Sequence, residues 1–323
     1  MKAKNSLFLL SAATLSLFAA SCSAQEKTIA IVQLMTHTSL NEINTAITKT
    51  IDDAKLQGYK IAQYNPEGDS TLLSQTMAQL NQSADIVVAI TTPVAQSAYN
   101  KLSEQKPIVF AACSDPIGAG LVSNLEKPGG NVTGTSDAIQ VDTILDKARE
   151  VDPDLDTLGF IYNPTEANSV TNKAKIEAYC AGNGITVESA TISNSGEMSE
   201  VANVLCNKVD AIFVTDDNTV ASAMAPLSAA ARKAKIPTYT GADSMVKDGG
   251  MFCLGINYTE LGKKTGEMVL DIAKGKSAGD IPVKVFDEDL NGYLNLDYVE
   301  EIGITIPDSI LNDPLLITLR DKA

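Results

Sequence analysis

The sequence contains no tryptophan and a single histidine in 323 residues, and aromatic residues make up only 5% of it. A sugar site that stacks a ring on aromatic faces is therefore poorly supplied. With His37 as the one imidazole, and no Cys or His cluster at ligand spacing, no transition-metal site is proposed and no cofactor is implied. Basic residues are scarce: 25 Lys and Arg stand against 40 Asp and Glu, a net charge of −15. Such acidity argues against nucleic acid and anionic membranes as partners. After the leader described below, no apolar run reaches the length of a membrane span. No nucleophile elbow or Ser-His-Asp set is present either. His37 would be a base without a nucleophile, and the chain is not expected to be an enzyme.

What is present begins with an export signal. Lys2 and Lys4 precede an apolar run from Leu7 to Ala20, after which small residues surround Cys22. The run is too short and wrongly flanked for a stable span. Ala19-Ala20-Ser21-Cys22 resembles a bacterial lipobox, with Ala19 where that motif usually has Leu. The expectation is a lipid on Cys22 and a membrane-anchored protein facing the periplasm or cell exterior. The alternative is cleavage after Ala24 and a free periplasmic protein. Of the other cysteines, Cys180 and Cys206 invite a disulfide in an exported chain. In a doubly wound lobe, however, their helices would lie on opposite sheet faces, so four buried thiols are expected instead.

The stretch Asp85–Asp115 organises the rest. An apolar run (Ile86–Ile90) stops at Thr91-Thr92-Pro93, a helical pattern runs to Lys101, and a second apolar run (Ile108–Ala112) ends in Cys113-Ser114-Asp115. This is a β-α-β unit. Pro93 suits a first helical turn, and the amides of Val94, Ala95 and Gln96 are expected to point free at an anion beyond the strand end. Asp210–Met224 and Ile236–Met245 repeat the grammar, with Asp216 and Asp217 in place of the two threonines. One lobe offers hydroxyls and amides, the other acids. That asymmetry suits a zwitterion held between two lobes.

In chain order, strands are expected at Thr28–Gln33 and Lys60–Tyr64, with a helix capped by Ser70 after them. The segment from Pro116 to Gly134 reads as loop, and its Gly118-x-Gly120 as turn chemistry rather than a phosphate loop. A helix over Val141–Glu150 crosses to a second lobe. Strands follow at Leu158–Tyr162, Ile185–Thr191, Ala211–Val214, Thr238–Thr240 and Gly249–Gly255. Helices are expected after Ser195, over Thr219–Ala234 and over Thr259–Lys274. The tail reads as hinge strands and edge segments at 281–286, 293–296 and 305–307. The predicted fold is α/β: two doubly wound parallel-sheet lobes joined by hinge crossings. Residues 27–135 plus return segments would form one lobe, 155–280 the other, and 281–323 the hinge and tail. Ligands of such sheets sit outside the strands' carboxyl ends.

The runs AITTPVAQ (89–96), VFAACSDPIGAGLVSNLEKPGGNVTGTSD (109–137), IYNPTEANSV, TDDNTVASAM and GINYTELGKKTGEM resemble the ABC-transporter substrate-binding proteins of the tryptophan/tyrosine uptake family, over roughly residues 27–305. The resemblance implies a type I periplasmic-binding-protein fold and capture of a small amino acid, Trp, Tyr or Phe, by hinge closure. An ABC permease and its ATPase subunit would be the partners. It implies that the substrate carboxylate meets Thr92, Ala95 and Gln96 at the helix start, with Ser114, and that the second lobe holds the amine. Asp216 or Asp217 would pair with it, Asp217 being preferred, and Asn218 and Thr219 would complete the wall. Asn163, Glu166, Asn168, Ser169 and Asp243 occupy equivalent strand tips. Capping alone would also account for Ser169, Asp217, Thr219 and Thr259. The competing readings are a sensor module of the same fold, and an importer component for a branched-chain amino acid or another small metabolite.

Overall fold

A computed structural model describes residues 26–288 and 290–321; the leader and Cys22 lie outside the described residues. The first half runs β1 (Lys27–Gln33), α1 (Thr38–Asp53), β2 (Tyr59–Tyr64), α2 (Ser70–Ser83), β3 (Ile86–Ile90), α3 (Thr92–Lys101), β4 (Ile108–Ala111), β5 (Val132–Ser136) and α4 (Val141–Val151). The second runs β6 (Thr157–Tyr162), α5 (Ala167–Asn183), β7 (Thr186–Thr191), α6 (Met198–Leu205), β8 (Ala211–Val214), α7 (Asn218–Ala221), α8 (Met224–Ala234), β9 (Thr238–Thr240), α9 (Asp243–Lys247), β10 (Phe252–Gly255) and α10 (Tyr258–Ala273). The tail adds β11 (Lys284–Val285), β12 (Asn291–Asn295), α11 (Leu296–Ile302), α12 (Asp308–Leu311) and β13 (Leu316–Leu319).

Two sheets result, ordered β11-β5-β4-β3-β1-β2 and β13-β12-β10-β9-β8-β6-β7. The parallel cores repeat one winding, with β1 between β2 and β3 and β6 between β7 and β8. The order therefore reverses at β1/β3 and at β6/β8, where such sheets bind ligands. Central strands such as β3 (IVVAI) and β8 (AIFV) are buried along their whole length, as helices on both faces require. In the second sheet β12 pairs antiparallel with β10, and β13 then pairs parallel with β12.

Several expectations need correction. VTGTS, read as the end of a loop, is the buried strand β5; its small hydroxyl residues carry no apolar run. Gly134 is needed there, because a Cβ would lie 2.1 Å from the Phe110 carbonyl oxygen. The caps of α2, of the turn after β7 and of α10 are Asp69, Asn194 and Asn257, not Ser70, Ser195 or Thr259. Residues 219–234 form two helices, broken at Ser222-Ala223. Residues 305–307 are not strand, and α9 and β13 were not expected.

Helix α10, placed with the second lobe by the 155–280 boundary, packs instead on α1 of the first. Gly262 and Gly266 make this possible: a Cβ on Gly262 would lie 2.6 Å from the Ile43 carbonyl oxygen, and one on Gly266 would lie 2.7 Å from Thr50 Cβ. Thr265 and Thr135 join hydroxyls at 2.8 Å beneath it. Cys113, Cys180, Cys206 and Cys253 are buried free thiols.

Candidate functional site

The carboxyl tips of the two sheets meet around a small cavity. The first lobe lines it with Thr91 and Thr92 after β3, Ala112 after β4, Asp137 after β5, and His37, Ser39, Leu40 and Ile43 around the start of α1. Tyr258 enters from α10. The second lobe supplies Asn168, Asp216, Asn218, Ala221 and Met245. Among these residues there is no Lys or Arg. His37 is uncharged at neutral pH, since burial lowers its pKa to about 4.

The lobes touch directly. Ser39 and Ser244 share a hydrogen bond of 2.5 Å, and His37 Nε2 lies 3.4 Å from Asn218 Oδ1. Lys247 reaches Glu42 at 3.0 Å and Asp243 at 2.6 Å. Ser114 Oγ contacts the Asp216 carboxylate. These bonds describe a closed cleft.

At its acidic end, Asp216 accepts from Asn172 Nδ2 at 2.6 Å and is pushed towards its neutral form, chiefly by burial. Asp137 receives Ser114 Oγ–H and Tyr258 O–H, each at 3.2 Å. Burial, then the charge of Asp216, raises it to about 7. At the tip of β3, Thr91 takes φ 93°, a strained conformation for a β-branched residue. Its Oγ1 is buried without a partner.

Helix α3 presents fewer free amides than expected. Pro93 has none, and the Ala95 N–H is taken by the Thr91 carbonyl at 3.0 Å. Gln96 turns its side chain to the Ala119 carbonyl at 3.1 Å, outside the cavity. Thr92 does line the cavity, with its hydroxyl 3.4 Å from Cys113 Sγ.

The second-lobe residues divide in two. Asn168, Asp216 and Asn218 face the cavity. Asp217 does not: its carboxylate accepts from Asn163 N–H at 2.6 Å, Ser169 Oγ at 2.7 Å and Val220 N–H at 2.9 Å, capping α7. The preference for Asp217 over Asp216 is therefore corrected, because three internal donors already hold it. Glu166 likewise binds the backbone and side chains of Asn218 and Thr219. Asn163 bonds Thr219 and its own turn. Asp243 pairs with Lys247. Glu166, Asn163, Ser169, Thr219 and Asp243 thus brace the wall behind the site. Missed by sequence reasoning were Thr91, Asp137 and Tyr258. The tip of TGTSD has the same small-polar grammar as CSD, and that signal could have found Asp137.

The model of the ABC transporter substrate binding protein family matches residues 28–316. The chain belongs to this family. It is a substrate-binding component of transport, a role that a cleft between two lobes fits. A "Tyrosine-binding protein" of Clostridioides difficile is 37% identical over 273 residues, covering 82% of this chain and 78% of the relative. A Streptococcus pneumoniae ABC domain in complex with L-Trp superposes with a TM-score of 0.85 at 34% identity, covering 91% of this chain and 100% of its own. A ligand-free, open substrate-binding protein with adhesive properties from Clostridium difficile, also 34% identical and covered over 92% and 100%, superposes at only 0.67. In this chain the contacts between the lobes hold the cleft closed.

Proposed function

We propose that the protein captures an aromatic amino acid, Tyr, Trp or Phe, outside the cytoplasm and delivers it to an ABC permease. The observation that carries this reading is the inward-facing Asp216 in a closed cavity whose lining carries no Lys or Arg and an uncharged His37. A buried carboxylate of that kind calls for a cationic group. The two relatives named for tyrosine and bound to L-Trp support the amino-acid class.

The ammonium pairs with Asp216. The carboxylate meets the start of α3, where the Thr92 and Val94 N–H groups have no helical acceptor and Thr91 Oγ1 awaits a donor or acceptor. The side chain lies among Leu40, Ile43, Ala112, Ala221 and Met245, with Tyr258 beside them. Ligand contacts with both lobes shift an open–closed equilibrium towards the closed form. Catalysis has no part in this account. A lipid on Cys22 would hold the protein near its permease.

A thermal-shift panel of the twenty amino acids, on protein refolded to strip carried-over ligand, tests the class. A ligand at 100 times its dissociation constant adds about 2.7 kcal/mol of stability. A shift with Tyr, Trp or Phe is expected. Silence across all twenty amino acids would overturn the reading.

A further inference from the structure

The acidic end of the cavity holds more acceptors than one ion pair uses. Ser114 has one hydroxyl proton, yet its Oγ lies between Asp137 and Asp216, so it can serve only one of them at a time. Tyr258 gives Asp137 its other donor. Asn168, 3% exposed, spends Nδ2–H on the Asp216 carbonyl oxygen at 3.1 Å. That bond fixes the orientation of the amide, and Oδ1 is left buried without a donor. Asp137, Asp216 and Asn168, with its unpartnered carbonyl, therefore line one cavity whose lining carries no Lys or Arg.

A primary ammonium brings three N–H donors and one positive charge, which matches this set. The start of α3 offers a ligand carboxylate neutral donors but no cation to pair with it. Two acids also repel a ligand carboxylate, and a zwitterion cancels none of their net charge.

We infer that Asp137, Asn168 and Asp216 form an ammonium cradle built by both lobes, so that the primary ammonium is the obligatory handle and primary monoamines such as tyramine are ligands of the same cavity. This rests on the amino-acid reading for the placement of the ammonium, and goes beyond it in ligand class.

Isothermal titration of the stripped, full-length mature protein tests it. The probes are tyrosine, tyramine, 3-(4-hydroxyphenyl)propionate and N,N,N-trimethyltyramine. Tyramine is expected to bind within about tenfold of tyrosine, and the propionate and the trimethyl compound more than about a hundredfold more weakly, since each loses charged hydrogen bonds. Asp137→Asn should weaken tyrosine and tyramine alike by about tenfold or more. Should that variant not fold, the wild-type panel decides alone. Tyrosine binding with no tyramine binding overturns the cradle and leaves the amino-acid reading standing, as does an Asp137→Asn protein of unchanged affinity. Tyramine binding without any amino acid upholds the cradle and overturns the amino-acid reading. If none of the four probes binds, the cradle falls, and the twenty-amino-acid panel decides the amino-acid reading separately.

Discussion

Two adjacent carboxylates at the end of β8 have opposite tasks. Asp216 faces the cavity, while Asp217 is 0% exposed and holds the start of α7. Asp217→Asn should therefore act on stability. It leaves one acceptor oxygen where three donors point at both carboxylate oxygens and should cost about 1–3 kcal/mol in chemical denaturation, with ligand affinity changed little in the folded fraction. Asp137 gives a pH prediction. Its pKa is raised to about 7 in the closed cleft, by burial and then by Asp216. Its contribution to stability is thus fully present below the ordinary carboxylate range and is lost as pH rises through 7. An ammonium beside it favours the charged form, so binding below pH 7 releases a proton. Titrations from pH 8 to 5 should show affinity falling by up to about tenfold per pH unit in the lower part of the range. A flat profile would contradict the assignment. At this scale the sequence announced which tips carry polar groups. It did not announce which of two neighbouring acids turns inward, because that depends on how the backbone leaves the strand.

The elements around the cleft hold closure and fold by different means. The Glu42–Lys247–Asp243 cluster ties α1 to α9 across the cleft, with Lys247 and Glu42 about one-third exposed. A pair of that exposure contributes about 1 kcal/mol or less. Glu42→Gln should weaken ligand binding by no more than about fivefold, with a faster off-rate in stopped-flow traces. Gly266→Val places a side chain against Thr50 and should lower stability by about 1–3 kcal/mol, read as a shifted denaturation midpoint. Long apolar strands were legible in the sequence. β5 was not, since Thr, Gly and Ser form it and its burial comes from its neighbours. The break between α7 and α8 at Ser222-Ala223 was hidden too, since alanine-rich sequence favours helix on either side and does not mark it.

At the scale of the molecule, the repeated winding of the two sheets was visible as repeated strand-tip grammar. The return of α10 to the first lobe was not. That exchange is settled by helix-to-helix contact at Gly262 and Gly266, which no local periodicity encodes. It makes the lobes share chain, and it delivers Tyr258 from a first-lobe helix to Asp137. The closed form, with its contacts between Ser39 and Ser244 and between Ser114 and Asp216, buries the acids that a ligand cation would neutralise. Ligand should therefore favour closure, and small-angle scattering of stripped protein should show a smaller radius of gyration on adding tyrosine.

The most direct measurement is calorimetric titration of tyrosine into wild-type, Asp216→Asn and Asp217→Asn proteins, side by side. The account predicts that Asp216→Asn loses more than about tenfold in affinity while Asp217→Asn, where folded, stays near wild type. The reverse order would place the amine at Asp217 and contradict the site described above.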